Sequence, residues 1–232
     1  MQSTILDRPV GQLVAEQPSR SRVFESWGID YCCGGRKTLA DACAAKQLEP
    51  AKVVQDLEAA DSTATPPETD WTQESLAKLS KHIVDAHHAY LRHELPRLSM
   101  LTAKVADVHA GKDPRLADLQ ELFEGFRADM ETHMEEEEQL VFPAIAAVAS
   151  GVPGDALANP IDKMFAEHDD AGIHLEKMRT LTDGFVPKED ACNTHRALLH
   201  ALGELELDMH QHVHLENNVL FKRALEMGRA LG

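Results

Sequence analysis

The chain has 232 residues, of which 43% are hydrophobic, enough for one sizeable core and a small second unit. Its 39 acidic residues outnumber 23 Lys and Arg, and the formal net charge of −16 opposes binding to nucleic acid or to an anionic membrane surface. The N-terminal residues lack the features of a secretory signal, and no segment approaches the roughly 20 apolar residues of a membrane-spanning helix. We therefore expect a soluble, cytoplasmic protein with neither nucleic acid nor membrane as a partner.

Residues 1–60 are predicted to form a small domain of short helices. The residues at 28–35, with the sequence GIDYCCGG, indicate a loop because their glycines permit positive φ. Thr38 and Asp41 follow it in the pattern of a capping box, which predicts the start of the next helix. The helices expected in this domain are Val10–Glu16, Ser19–Trp27, Leu39–Lys46 and Ala51–Ala59.

Cys32 and Cys33 are adjacent in this loop, whereas Cys43 and Cys192 stand apart and are expected to be structural. The spacing of the four cysteines is unlike the disulfide framework of a secreted protein. Buried cysteines are often inert small hydrophobes. A vicinal pair in a glycine-rich loop, however, permits a strained disulfide, metal binding or exchange with a thiol partner. The sequence leaves these three roles open.

Residues 61–71 are predicted to be a linker, because the sequence DSTATPPETD at 61–70 has no apolar period and contains two prolines. Residues 72–232 contain four long helical segments. Two of them are preceded by an N-cap residue and a proline, at Asp113-Pro114 and Asn159-Pro160. No convincing strand-like alternation is found. The expected fold is all-α, with a small N-terminal helical domain and an up-and-down four-helix bundle.

Each long helical segment carries an apolar stripe in which the residues recur every three or four positions. The stripes comprise Val84, His88, Leu91, Leu95 and Leu98; Leu116, Leu119, Phe123, Phe126, Met130, His133, Glu137 and Leu140; Ile161, Met164, His168, Ala171, Leu175 and Met178; and Leu198, Leu202, Leu205, Met209, His212, Glu216 and Val219. All four stripes are therefore interrupted by histidine or glutamate at positions where leucine would be ordinary.

These interruptions point to a metal site, since an isolated buried carboxylate costs several kcal/mol or more and is normally paired, protonated or bound to a metal. A single His-x-x-x-Glu pattern is usually a solvated surface pair. Here it occurs twice, at an offset of 79 residues. Because residues four apart share a helix face, Glu137 is favoured within the acidic run 135–138, and His88 is favoured over His87, which lies about 100° around the helix. Imidazole and carboxylate without sulfur favour iron or manganese over structural zinc.

Several motifs together resemble a known family. HMEEEEQLVFP at 133–143, HVHLENNVLF at 212–221 and EHDDAG at 167–172 resemble the hemerythrin-like domain. With DYCCGG at 30–35, they resemble the iron-sulfur cluster repair di-iron proteins, also called the repair of iron centres family, over nearly the whole chain. One departure is Lys222, at a position where the family commonly has proline, and it lies outside the ligand set.

The resemblance implies a pair of non-haem iron ions with oxo or hydroxo and carboxylate bridges. The implied bridging carboxylates are Glu137 and Glu216. The implied histidine ligands are His88, His133, His168 and His212. Asp129 and Glu167 lie near these positions in the sequence, either to guide iron or protons or as solvated or supporting groups. The remaining histidines, including His87, His210 and His214, are expected to be surface or incidental residues.

The resemblance also implies repair of iron-sulfur clusters damaged by nitric oxide or oxidative stress. We expect the protein to mobilise or deliver iron to damaged iron-sulfur proteins as its clients, since a histidine-rich site is more neutral than an all-carboxylate one and holds ferrous iron less tightly. Two rival functions stay open: enzymatic reduction of nitric oxide at the same centre, and sensing or carrying of oxygen or iron. Whether a redox partner exists, and whether the chain forms a homodimer, are also open.

Overall fold

The computed structural model describes residues 5–64, 69–154 and 157–231, and within these ranges it contains helices and loops but no β-strand. The predicted all-α class is confirmed. Residues 65–68 of the predicted linker lie outside the described ranges, and the division into 1–60, 61–71 and 72–232 stays a prediction. In the part of the chain that is described, no helix has the length and apolar character needed to cross a membrane.

The four helices predicted in the N-terminal region begin and end within four residues of the predicted positions. Asn159, however, is not an N-cap, because its helix begins at Ala158. The prediction for Val10–Glu16 is confirmed at both ends, and Thr38 Oγ1 accepts a hydrogen bond from Asp41 N (3.1 Å), as a capping residue should. The helices are α1 (Val10–Glu16), α2 (Arg20–Ser26), α3 (Leu39–Ala45), α4 (Pro50–Thr63), α5 (Leu76–Ile83), α6 (Ala89–His109), α7 (Arg115–Glu136), α8 (Phe142–Ala149), α9 (Ala158–Leu181), α10 (Asn193–His214) and α11 (Phe221–Leu231).

Within the described ranges, three π-helical turns connect consecutive helices, at Val84–His88, Glu137–Val141 and Leu215–Leu220. A π turn closes i→i+5 hydrogen bonds, so it adds one residue and rotates everything after it by about 100°. Each of these turns contains one of the predicted metal ligands, His88, Glu137 or Glu216. The sequence alone gave no sign of them.

The π turns explain where the predicted apolar stripes fail. Leu140 was expected inside but is 65% exposed, and Val141 is buried in its place. Val84 is half-buried, whereas the preceding Ile83 is buried. A stripe extrapolated with the α-helical period therefore slips by one residue at two of the turns. The other members of the four stripes are buried as predicted.

The described residues divide into two compact units. The first contains Met1–Ser80, Val148–Asp155 and His210–Gly232. In it, α2 and α3 pack against α4, and α1 contacts both α2 and the π turn Leu215–Leu220. Its most buried apolar residues include Leu13, Phe24, Leu39, Val53 and Leu57.

The second unit contains Lys81–Ala147 and Ala156–Met209. In it, α7 packs against both α6 and α9. Phe123 and Phe126 of α7 stack against each other in a tilted arrangement with ring centroids 6.2 Å apart, and both rings are buried. Four of the polar residues that interrupt the stripes, His88, His133, Glu137 and His168, are buried in this unit.

Two histidines that were expected to be surface or incidental residues are buried, and for them a surface position is wrong. His87 Nδ1 lies 2.9 Å from Asp208 Oδ1, and the His214 ring makes an edge contact with Tyr31 at 5.4 Å between centroids. Burial lowers the pKa of His214 to about 4, so this imidazole is neutral at physiological pH. Asp208 and Tyr31 are the partners of these two rings, and the apolar period of the sequence does not predict either contact.

A slot between two glycines holds the side chain of Asn218. A Cβ atom on either Gly11 or Gly35 would collide with Asn218 Oδ1, and the two glycines are joined by a hydrogen bond from Gly11 N to Gly35 O (2.9 Å). Asn218 Nδ2 donates to the carbonyls of Tyr31 (3.3 Å) and Cys32 (2.9 Å). This interaction fixes the loop at residues 28–35, called the cysteine loop below, on the π turn Leu215–Leu220.

Replacing Gly35 with alanine is expected to destabilise the protein by about 1–3 kcal/mol, the usual cost of overpacking a filled site. The new methyl group would meet Tyr31 O at 2.7 Å, and this backbone atom cannot simply rotate away. The matched control is Gly125→Ala in α7, where nothing lies within 4 Å and helix propensity predicts a gain of up to about 1 kcal/mol. Urea denaturation of both variants checks the prediction, which is wrong if the two midpoints move in the same direction.

Candidate metal centre

Four of the six predicted ligands converge in the second unit. His88 Nε2 and His133 Nε2 lie 3.3 and 3.5 Å from the same oxygen, Glu137 Oε2. His133 Nε2 and His168 Nε2 are 3.0 Å apart. All four residues are at most 2% exposed. Three imidazole nitrogens and a carboxylate that face one another inside an apolar core form a donor set suited to a cation.

The other two predicted ligands form a pair in the first unit. His212 Nε2 lies 2.9 Å from Glu216 Oε1, and both side chains are buried. His212 is in the last turn of α10, and Glu216 is in the π turn that follows. This pair repeats the arrangement of His133 and Glu137, since each histidine comes four residues before a glutamate in a π turn.

Two of the predicted ligand histidines, His88 and His133, are hydrogen-bonded to a carboxylate through Nδ1. His88 Nδ1 lies 2.7 Å from Glu138 Oε1, and His133 Nδ1 lies 2.7 Å from Glu167 Oε2. An ionised carboxylate only accepts hydrogen bonds, so each Nδ1 carries the proton and donates. Each Nε2 is then the basic nitrogen and faces the interior, which is the tautomer that metal-binding histidines adopt.

Glu138 and Glu167 each also contact a basic side chain. Arg92 Nη2 donates to Glu138 Oε1 (2.8 Å), and Lys163 Nζ lies 3.4 Å from Glu167 Oε1. Burial opposes ionisation of Glu138, but the hydrogen bonds from His88 and Arg92 outweigh it and lower the pKa of this carboxyl. The hydrogen bond from His133 is the main cause of the lowered pKa of Glu167. Both groups are therefore held as acceptors for the histidine protons.

Glu138 is a member of this site that the apolar period does not predict, because it lies off the apolar stripe. Glu167, in contrast, is a predicted supporting group. A signal was present on another helix: His88 and Arg92 are four residues apart, so both side chains can reach one carboxylate. Periodicity identifies residues that face the core, but it does not identify the neighbours that orient them.

A cavity of about 230 Å³ opens beside His133 in the second unit. Its polar lining includes Asp129, Glu167, Asp170 and His174. Asp129, a candidate for guiding iron or protons, therefore lines the space next to a predicted ligand. The cavity is large enough to admit several water molecules and small solutes to one side of the His133 ring.

The cysteines occupy three different environments. Cys32 is buried and Cys33 is half-buried, with their sulfur atoms 3.9 Å apart and no disulfide between them. Cys43 is buried in α3. Cys192 is exposed, with its sulfur 3.3 Å from His109 Nε2.

The donor chemistry fits iron. Neutral imidazole and carboxylate are borderline and hard donors that suit ferrous and ferric ions, and none of the six residues brings sulfur. All six belong to the groups of buried His and Glu side chains whose ligand atoms could hold a metal ion. Their burial separates them from the exposed acidic residues of the same helices.

Comparisons with known proteins agree with this chemistry. Residues 6–61 match the ScdA_N family, described as a domain of unknown function (DUF542), and residues 79–224 match the hemerythrin HHE cation binding domain. The chain is 37% identical over 219 residues to the iron-sulfur cluster repair protein YtfE of Citrobacter koseri, and 38% identical over 219 residues to the protein of the same name from Escherichia coli O157:H7. Each alignment covers 94% of this chain and 97% of the relative.

Proposed function

This chain belongs to the family of the iron-sulfur cluster repair protein YtfE, with an ScdA_N domain before a hemerythrin domain, and we propose that it repairs damaged iron-sulfur clusters by delivering iron. Six side chains would hold the iron as a pair of non-haem ions: Glu137, Glu216, His88, His133, His168 and His212. The clients are iron-sulfur proteins damaged by nitric oxide or oxidative stress.

The observation that carries the proposal is the orientation of the buried imidazoles. His88 and His133 each donate Nδ1–H to a carboxylate and turn Nε2 toward Glu137. Such an arrangement is costly in a purely structural core, because it places basic nitrogens and a carboxylate together away from water. A bound cation removes that cost.

The residues of the site favour iron that is held but releasable. Four neutral imidazoles and two carboxylates contribute less negative charge than an all-carboxylate site, so a divalent ion is bound less tightly. Glu138 and Glu167 keep the two histidines in the binding tautomer. When bound, ferrous iron supplies both a transferable ion and reducing electrons. The cavity beside His133, lined by Asp129 and Glu167, gives an ion or small solute access to that side of the site.

Transfer of labelled iron tests delivery directly. The protein is loaded with ⁵⁷Fe and incubated anaerobically with an iron-sulfur enzyme whose cluster has been damaged by nitric oxide. We expect the label to appear in the repaired cluster by Mössbauer spectroscopy as the activity of the enzyme recovers. Equal free ⁵⁷Fe(II), without the protein, is the control. Enzyme activity that recovers without ⁵⁷Fe in the repaired cluster contradicts delivery. Activity that recovers no further than with free ⁵⁷Fe(II) contradicts it as well.

The same reduced protein distinguishes the rival enzymatic function. Two ferrous ions together supply the two electrons that reduce two molecules of nitric oxide to nitrous oxide and water, with two protons from solvent. Headspace analysis for nitrous oxide, with an added electron donor, measures turnover. Many molecules of nitrous oxide per chain would favour reduction over delivery. A single turnover or none keeps delivery as the function.

Glu138→Gln and Glu167→Gln variants are expected to lose iron to a chelator about 10–100-fold faster than the unchanged protein. The amide removes the charge that stabilises the donated Nδ1–H, so the ligand histidines bind more weakly, while side-chain shape is kept. The rate of iron transfer to a coloured ferrous chelator is the measurement. Glu135→Gln is the control, because Glu135 belongs to the same acidic run but is exposed. Equal rates in all three variants would contradict the orienting role.

A further inference from the structure

The loop that carries Cys32 and Cys33 is folded around the carboxylate of Asp30. Asp30 Oδ1 accepts hydrogen bonds from the backbone N–H groups of Cys32 (3.1 Å) and Cys33 (3.0 Å), and Asp30 Oδ2 accepts from Gly34 N (2.8 Å). Three successive backbone donors thereby hold one carboxylate inside the turn. The positions of both cysteines are consequently set by the fold of the loop itself.

Three metal-binding atoms come together in this loop. Asp30 Oδ1 lies 3.2 Å from Cys32 Sγ, and the two sulfur atoms are 3.9 Å apart. One ligand atom from each of the three residues lies within 4.8 Å of the others. A tetrahedral ion about 2.3 Å from each sulfur and about 2.1 Å from the oxygen requires separations of about 3.8 Å and about 3.6 Å. The sulfur–sulfur distance of 3.9 Å and the Asp30–Cys32 distance of 3.2 Å each lie within about 0.4 Å of these values, and the ligand atoms of Asp30 and Cys33 lie within 4.8 Å of each other.

We propose that Asp30, Cys32 and Cys33 form a second metal site, specific for a thiophilic divalent cation such as zinc(II). Two thiolates select a soft or borderline ion, in contrast to the sulfur-free donors of the iron site. Three protein ligands leave a fourth tetrahedral position open to water or to an exchanging ligand. This site stands apart from the proposed iron chemistry and does not depend on it.

The ion replaces the protons of the two thiols. When the divalent ion binds, two S–H bonds break, two metal–sulfur bonds form, and two protons leave to solvent, with no change of oxidation state.

Contacts beneath the loop distinguish it from a flexible surface segment. The carbonyl of Cys32 accepts hydrogen bonds from Asn218 Nδ2 (2.9 Å) and Asn217 Nδ2 (3.5 Å). Both asparagines lie in the π turn Leu215–Leu220, which also carries Glu216. The cysteine loop is thus docked before any ion arrives, so little conformational entropy is lost when the ion binds.

Zinc binding to the iron-loaded protein tests the site. The protein, with reduced thiols and under anaerobic conditions, receives one equivalent of zinc and is passed through a desalting column. Zinc and iron are then measured in the same sample. We expect about one zinc per chain with the iron content unchanged, and X-ray absorption at the zinc edge showing two sulfur neighbours at about 2.3 Å. Alkylation of Cys32 and Cys33, followed by peptide mass spectrometry, should be suppressed.

A double serine variant supplies the decisive comparison. The Cys32→Ser, Cys33→Ser double variant should bind zinc at least about 100-fold more weakly. Mutating residues that merely hydrogen-bond to metal ligands already lowers metal affinity by about 10–100-fold, and here two ligands are lost. Cys43→Ser with Cys192→Ser, the matched control, should bind zinc like the unchanged protein. Zinc that stays on the double Cys32 and Cys33 variant, zinc gained only as iron is lost, or a sulfur count other than two would overturn the proposal.

Discussion

Changing both Glu137 and Glu216 to alanine is expected to yield a folded protein that no longer binds a pair of irons. Each substitution removes a buried carboxylate and with it one of the two negative charges that the proposed ligand set offers against the charge of the ions. Four neutral imidazoles are a much poorer site. Mutation of a residue that only hydrogen-bonds to a metal ligand typically lowers metal affinity by about 10–100-fold. Removing the two carboxylate ligands themselves should lower the iron affinity by more than this.

Iron content and Mössbauer spectra of anaerobically purified protein measure the effect. The unchanged protein should contain about two magnetically coupled irons per chain, and the variant should contain none. The control is Glu135→Ala with Glu226→Ala, because both glutamates are exposed. Helix content by circular dichroism should be retained, since removing buried carboxylates also removes their desolvation cost. Two irons that persist in the variant would contradict the proposed ligand set.

Truncating Tyr31 to alanine is expected to destabilise the protein by about 3–5 kcal/mol, the range observed when a buried aromatic ring is removed. Tyr31 is 1% exposed, and its ring contacts those of Phe24, His210 and His214 at centroid distances of 5.4–6.3 Å. These contacts join α2, the cysteine loop and the end of α10 within the first unit. Loss of the ring leaves a cavity at the point where they meet.

Tyr31→Phe is the matched control for this substitution. Burial, together with the Glu25 charge, raises the pKa of Tyr31 above its ordinary value, so the phenol stays protonated and donates to Glu25 Oε1 (2.9 Å). Removing the hydroxyl alone should cost about 1–2 kcal/mol. Guanidinium denaturation of the two variants separates packing from hydrogen bonding. Equal losses would mean that the hydroxyl, and not the ring, fixes the loop.

The apolar period of the sequence was a sound guide to which residues face the core. His88, His133, Glu137 and His168 were selected because they interrupt stripes of buried residues, and the second unit brings these four side chains together. His212 and Glu216 were selected in the same way and form a buried pair. The period failed at Leu140, because a π turn adds a residue that the sequence pattern does not announce.

The sequence by itself determined the all-α class, the helices of the N-terminal region and the six histidine and glutamate residues that are buried in the stripes, because these follow from periods of three to four residues along one helix. Only the tertiary structure decided which groups support them. Glu138 orients His88 from 50 positions away, and Asn218 fits between Gly11 and Gly35 to hold a loop more than 180 residues earlier. Such pairings depend on how separate helices pack, and packing is a property of the folded chain that no local pattern encodes.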